Sequence, residues 1–140
     1  YFEEIGRFND KLFIDMVDYD YCLRINIKKF KILYFPDVFV EHKLGEVHLR
    51  TNIFTRKKKY KTEHNAQRAY YIARNYLYVA RNYGKYFPND VGMLHILNIV
   101  FIHDVTKILI YEIDKWNKLK AKFIGLYHFI INRYGKYNLK

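Results

Sequence analysis

The chain is organised around residues 13–24, which read F-I-D-M-V-D-Y-D-Y-C-L-R. Three carboxylates, at Asp15, Asp18 and Asp20, lie among bulky apolar residues, and Arg24 ends the run. If the run is helical, Asp15 and Asp18 share one face, and Asp20 can pair with Arg24 four residues later. This spacing places at least one acid at the edge of a packed surface, where a general base has to lie.

The same residues also have a purely structural interpretation. Asp15 could cap the N-terminus of the helix, Asp18 could add to that cap, and Asp20 and Arg24 could form a surface ion pair. From the spacing alone the structural interpretation is the stronger of the two.

Three motifs in the chain resemble a known family. They are V-D-Y-D-Y-C-L-R at 17–24, F-K-I-L-Y-F-P-D-V-F-V-E-H-K-L-G at 30–45, and R-x-Y-Y-x-x-R-N at 68–75. Their order resembles the acceptor-side half of the inverting family 2 glycosyltransferases, in particular the bacterial rhamnosyltransferase-like enzymes. That family has an acidic pair at the start of a helix ending in C-L-R, then a Pro-Asp pair, and then His-x-x-Gly.

The resemblance implies roles for individual residues. Asp18 aligns with the catalytic base, and Val17 stands where the family often has Glu. His42 resembles a histidine that helps to hold a divalent metal, Mg or Mn, which neutralises the departing diphosphate. Acceptor-side or supporting positions are Asp15, Asp20, Arg24, Arg68 and Arg74. The implied fold class is α+β, the acceptor-side portion of a GT-A domain at 1–62 followed by a C-terminal helical region at 63–140.

The resemblance also implies a reaction and partners. A hexosyl or deoxyhexosyl (rhamnosyl-like) residue would pass from a nucleotide sugar to a glycan or lipid-linked acceptor, with inversion, in bacterial polysaccharide biosynthesis. The expected location is the cytoplasm, with the inner face of its membrane as an open alternative. Neither an Asp-x-Asp strand end nor a Gly-rich phosphate loop occurs in the chain. We therefore interpret the chain as a C-terminal piece of a longer protein and expect it to be inactive alone.

Composition points to an anionic partner. The 140 residues carry a formal net charge of +11 and are 51% hydrophobic, with 15 Tyr and 11 Phe. Such a surface attracts nucleic acid, acidic lipid or a phosphorylated substrate. The dispersed basic residues and the lack of a recognition-helix or RNP-type signature disfavour nucleic acid. Uncovered apolar surface makes a homo-oligomer an open alternative. The single cysteine, Cys22, excludes an internal disulfide.

Periodicity predicts the elements in order. Residues 1–5 end a helix stopped by Gly6, and a helix is predicted from about 15 to 28. Strands are predicted at 31–35 and 38–42, and a hairpin at 47–54 and 58–62 with the basic run 56–59 at its tip. Helices follow from 64 or 65 to Gly84, from 90 or 91 to 114, and from about 115 to 134.

The last two helices leave their environment open. The helix at 90–114 approaches a membrane span in length, but His95, Asn98, His103, Asp104 and Lys107 interrupt it, so we reject a span. In the final helix an apolar stripe is flanked by basic residues, which is typical of a helix at a bilayer surface; the stripe is Leu119, Phe123, Leu126, Tyr127 and Ile130. A helical pair that seals its own core is the equal alternative.

Overall fold

The computed structural model describes residues 2–41, 47–62 and 64–139. Within these ranges the fold is α+β, mostly helical, with an antiparallel two-stranded hairpin. The elements in chain order are α1 Phe2–Ile5, α2 Val17–Ile27, β1 Val47–Thr51, β2 Lys58–Thr62, α3 Ala66–Tyr83, α4 Pro88–Val91, α5 Met93–Leu97, a π-helix Asn98–His103, α6 Asp104–Tyr111 and α7 Lys115–Ile130.

Helix α3 is the centre of the molecule. Asn65 caps its first turn, since the Asn65 side chain accepts a hydrogen bond from the Arg68 backbone N–H at 2.9 Å. Its buried residues contribute to three apolar clusters, one with α5 and the π-helix, one with the loop before α2 and with α4, and one with α7. The predicted helix at this position is therefore confirmed, and it supports every neighbouring element.

The hairpin is confirmed in the predicted place. Val47 pairs with Thr62 at its open end and Thr51 with Lys58 at its turn. The Asn52 side chain shapes the turn, accepting hydrogen bonds from the backbone N–H groups of Phe54 and Thr55 at 2.8 Å each. Its amide also donates to the Tyr111 hydroxyl at 3.0 Å, which ties the hairpin to α6.

The predicted strands at 31–35 and 38–42 are wrong over the described residues. Residues 31–41 form no strand; a turn lies at 36–37, and the apolar side chains of this segment are exposed. A β-rich run becomes a strand only when a neighbour pairs with its backbone. No described segment pairs with this run. Residues 42–46, with the predicted turn at Gly45, lie outside the described residues.

The helix predicted at 90–114 is interrupted at Gly92 and contains a π-helical segment. Pro88 begins α4, Gly92 separates α4 from α5, and a π-helix precedes α6. In the described part of the chain, 88–111 is the one helical segment long and apolar enough to cross a membrane, and 17% of its most apolar window is buried. Length and composition alone are weak evidence, so our rejection of a span stays a prediction.

Helix α7 packs against the rest of the protein through small and polar residues. Its buried residues are Lys118, Ala121, Lys122, Gly125 and His128. The two lysines reach acidic partners on the preceding segment, with Lys118 3.1 Å from Glu112 and Lys122 2.6 Å from Asp104. The predicted apolar stripe is largely outward, because Phe123, Tyr127 and Ile130 are exposed. Ala121, Gly125 and His128 therefore pack against α3, and Phe123 and Tyr127 face away from it.

We expect Gly125→Ala to destabilise the protein by about 2 kcal/mol, the usual cost of overpacking a tight contact. A Cβ at position 125 would lie 2.5 Å from the Tyr70 carbonyl oxygen and 3.1 Å from the Ala73 Cβ. Backbone atoms cannot rotate away, so α7 would have to move off α3. Urea unfolding measures the effect. Unchanged stability of Gly125→Ala would contradict the close helix contact.

Candidate active site

The three carboxylates of the 13–24 stretch have three different environments. Asp20 is fully buried, Asp15 is partly covered by an ion pair, and Asp18 is exposed. From the sequence, all three are predicted to lie on one helix. The fold gives each carboxylate a separate role.

Asp20 holds three elements together. Its side chain is 0% exposed and accepts hydrogen bonds from the Tyr83 hydroxyl at 2.7 Å, the Asn9 amide at 3.2 Å and the Arg24 Nε at 3.0 Å. Burial, together with the hydrogen bond to the Asp20 carboxylate, raises the pKa of Tyr83. Since no part of Asp20 reaches solvent, it cannot meet an acceptor, and its role is to shape the fold.

Arg24 completes that role by bridging α2 to α1. Besides its pair with Asp20, it donates from Nη1 to the Ile5 carbonyl at 2.6 Å and from Nη2 to the Arg7 carbonyl at 2.8 Å. Ile5 is the last residue of α1 and Arg7 follows it, and carbonyls at a helix end lack helical partners. The predicted Asp20–Arg24 pair is confirmed, and it is a structural clamp.

Asp15 does not belong to the helix, contrary to the prediction. The helix begins at Val17, Asp15 has a φ of 60°, and Met16 at the N-cap position makes no side-chain cap. The Asp15 carboxylate is instead held by a two-nitrogen fork, with Arg68 Nη2 at 2.9 Å and Arg68 Nε at 3.0 Å from Oδ1. Asp15 therefore joins the loop to α3 and caps nothing, and the predicted face shared with Asp18 does not form.

The loop before Asp18 is strained and tightly held. Phe13, Asp15 and Met16 all have positive φ angles, at 63°, 60° and 65°. Each such residue costs about 1–2 kcal/mol, and backbone strain of this kind clusters at functional sites. The Asn75 amide compensates by donating to the carbonyls of Leu12, Ile14 and Asp15; the distances are 2.9, 2.6 and 3.0 Å.

Arg74 supports the same loop from inside the protein. It is fully buried, and its guanidinium donates to the carbonyls of Lys11 and Leu12 at 3.1 Å each and to that of Gly135 at 2.8 Å. Further bonds reach the Asn75 side chain at 2.9 Å and the Tyr70 hydroxyl at 3.1 Å. All of these hydrogen bonds are internal, so neither the Arg74 guanidinium nor the buried Asn75 amide can contact an acceptor substrate.

Asp18 is the carboxylate that the fold leaves available. It is the second residue of α2, its side chain is exposed, and no hydrogen bond or ion pair joins it to another residue in the described ranges. The next residue, Tyr19, is also exposed. An exposed, unpaired carboxylate on a rigidly anchored first helical turn can accept a proton from an approaching hydroxyl.

The predicted metal position is not part of this geometry. His42 lies outside the described residues. Among the residues that the structure does describe, no group of three or more His, Cys, Asp or Glu side chains could hold a metal ion. Because His42 is outside these ranges, the implied Mg or Mn site stays a prediction.

A buried chain of hydrogen bonds from Arg74 through Tyr70 to His128 makes the stability of the protein depend on pH. The Tyr70 hydroxyl accepts from Arg74 and lies 2.8 Å from His128 Nδ1. Burial, with Arg133 and Arg74 nearby, lowers the pKa of His128 below its ordinary 6.5. The unfolded chain therefore binds this proton more readily than the folded one, and stability should fall as the pH drops below about 6.5.

Chemical unfolding over a series of pH values measures this loss. His128→Gln should weaken the dependence of stability on pH, because it removes one titrating group. Part of the dependence should remain, since burial and Arg68 also lower the pKa of His64. An equal acid loss in the variant and the parent would contradict the assignment.

Sequence reasoning missed two of these supports. Asn75 and Asn9 received no role, yet each bonds to groups distant in the chain. The available signal was the position of Asn75 beside Arg74 on a helix rich in alanine, because a polar residue on a packed face needs a buried partner.

Comparison with known proteins leaves the chain without an assigned family. No family model, no curated protein and no solved structure matches it.

Proposed function

We propose that this chain supplies the acceptor side of an inverting glycosyltransferase of the family 2, rhamnosyltransferase-like kind, with Asp18 as its catalytic base. One observation carries the proposal. Of the three clustered carboxylates, the residue aligned with the family's base is the one left exposed and without a described partner. Asp15 and Asp20 are bound by other residues of the chain.

The chemistry follows from that position. An acceptor-sugar hydroxyl attacks the anomeric carbon of a nucleotide sugar from the face opposite the leaving group. The new C–O bond forms as the bond to the diphosphate breaks, and the electron pair of that bond leaves with the nucleoside diphosphate. Asp18 takes the hydroxyl proton as the oxygen develops positive charge, which lowers the barrier. Attack from the opposite face inverts the anomeric configuration.

The surrounding residues contribute by keeping the base in place. Asp20 anchors α2 two residues after Asp18, and Asn75 fixes the loop that precedes it. A base held within a narrow range of positions loses little entropy when the acceptor binds. Arg68 acts indirectly, since it holds Asp15 and makes no described contact with Asp18.

In our proposal the nucleotide-sugar donor binds to a part of the site that this chain does not contain. We therefore expect the 140-residue chain alone to transfer no sugar. Detectable turnover by it would contradict this division of the site.

The test is a transfer assay with the chain joined to its donor-binding half. A panel of nucleotide hexoses and deoxyhexoses is offered with lipid-linked and free glycan acceptors, and NMR determines the anomeric configuration of the product. We expect an α-linked donor to give a β-linked product. Retention of configuration would exclude the single-displacement mechanism, and hydrolysis without transfer would exclude the acceptor role.

A further inference from the structure

We infer that the outward face of α7 docks on a bilayer that contains anionic lipid. The face is the set Trp116, Lys120, Phe123, Tyr127 and Ile130, called here the α7 outer face. The spacing of four, three, four and three residues puts all five side chains on one side of the helix. The inference is independent of the proposed chemistry at Asp18.

The burial pattern shows that the fold itself does not cover this face. Trp116 is 83% exposed and Phe123 is 64% exposed, while Lys118 and Lys122 on the opposite side are buried. Those lysines are paired with Glu112 and Asp104, and Gly125 lies against the α3 backbone. These contacts fix the rotation of α7, so the aromatic residues cannot turn inward.

Charge identifies the kind of surface that fits. From Lys115 to the end of the chain there is no acidic residue, and the basic residues exposed in the described part of this segment are Lys120, Arg133 and Lys136. Lys120 is exposed within the face and makes no contact with another described residue through hydrogen bonds or ion pairs. Arg133, also exposed, follows the other end of the helix. An anionic surface complements this distribution.

The same charges disfavour a second copy of this chain as the occupant. A symmetric contact through the α7 outer face would bring two basic surfaces together, because a two-fold interface uses the same patch on both partners. Residue types also favour a bilayer, since Trp and Tyr concentrate at the boundary between hydrocarbon and water.

The neighbouring segment adds apolar surface. Leu94, Ile102, Leu109 and Ile113 are exposed on or just after 88–111. Lys115 donates to the Leu109 carbonyl at 2.6 Å, so the start of α7 lies beside the end of α6. This surface is anchored by the Lys122–Asp104 pair, which is compatible with lying on the bilayer.

The chain carries its own probe for this docking. Trp116 is its only tryptophan, and it lies on the α7 outer face. The full chain is titrated with vesicles of phosphatidylcholine alone and of equal parts phosphatidylcholine and phosphatidylglycerol. We expect the Trp116 emission to shift to shorter wavelength with the anionic vesicles, and lipids brominated on their acyl chains to quench it.

Matched variants locate the contact. Phe123→Ser should weaken vesicle binding about tenfold, since it removes apolar surface that the bilayer would bury. Lys120→Gln should weaken it about fivefold, the value for one basic residue near an anionic bilayer. Controls are Phe54→Ser, an aromatic residue 77% exposed in the hairpin turn, and Lys57→Gln in the same turn. Both controls, and Asp18→Asn, should bind as the parent does.

Three outcomes would overturn the inference. The first is an unchanged Trp116 emission at saturating anionic vesicles. The second is equal weakening by Phe54→Ser and Phe123→Ser, which would place the contact elsewhere. The third is a lipid-free emission shift that grows with protein concentration, together with a dimer in sedimentation equilibrium, which would make a second copy the occupant.

Discussion

Replacing Asp18 by Asn should lower kcat for sugar transfer by about a hundredfold, the range expected when a general base is removed. Asn has the same shape but cannot take the hydroxyl proton. Asp18 makes no hydrogen bond or ion pair with any other residue of the described ranges, so removing its charge costs the fold only its attraction to the N-terminus of α2, about 0.3–1 kcal/mol. The melting temperature should therefore stay within a few degrees of the parent's value, and KM for the acceptor should change far less than kcat.

The matched control is Asp15→Asn, which lies three residues before Asp18 and binds Arg68. It removes one carboxylate from the same stretch, so it separates loss of the base from loss of local negative charge. We expect a modest stability loss of about 0.5–1 kcal/mol, since the Arg68 side of the pair is exposed. A near-normal kcat for Asp18→Asn, or an equal fall for both variants, would reject Asp18 as the base.

Replacing Asp20 by Asn should destabilise the protein by about 3 kcal/mol, because a charged, fully buried acceptor of three hydrogen bonds is lost. Asn keeps only one acceptor oxygen. If that oxygen accepts from Tyr83 and Asn9, the amide nitrogen faces the Arg24 Nε–H, which is also a donor. The Arg24 guanidinium also loses its counter-charge, although two carbonyls still bind it.

Urea unfolding followed by circular dichroism measures this effect, and the midpoint should fall while the slope stays constant. Tyr83→Phe is the conservative companion. It removes one of the three donors to Asp20 and should cost about 1 kcal/mol. If Asp20→Asn proves as stable as Asp18→Asn, the buried network around α2 is not as the structure places it.

Local pattern was sufficient for the elements whose residues meet within a few positions. The alanine-rich period of α3, its Asn65 cap and its end near Gly84 are decided by neighbours three or four residues apart. The β1–β2 hairpin likewise follows from two short β-rich runs around a polar turn. Gly6 stops α1 as predicted, with a φ of 83° that glycine adopts at no steric cost.

The pattern failed where a distant partner decides the outcome. Asp15 looks like a helix cap, but Arg68, 53 residues away in sequence, takes its carboxylate, and the helix begins after it. Residues 31–41 have β-forming composition, but no described strand pairs with them. The stripe on α7 is real, but Gly125 and the paired lysines turn it outward.

By itself the sequence determined the positions of α3, α7 and the hairpin and the strong positive charge, because these depend on local periodicity and composition. Only the tertiary structure decided which of three similar aspartates stays available. That choice depends on Tyr83, Asn9 and Arg68 reaching across the fold to bind the other two. Hydrogen bonds between residues far apart in the chain leave no spacing that can be recognised in advance.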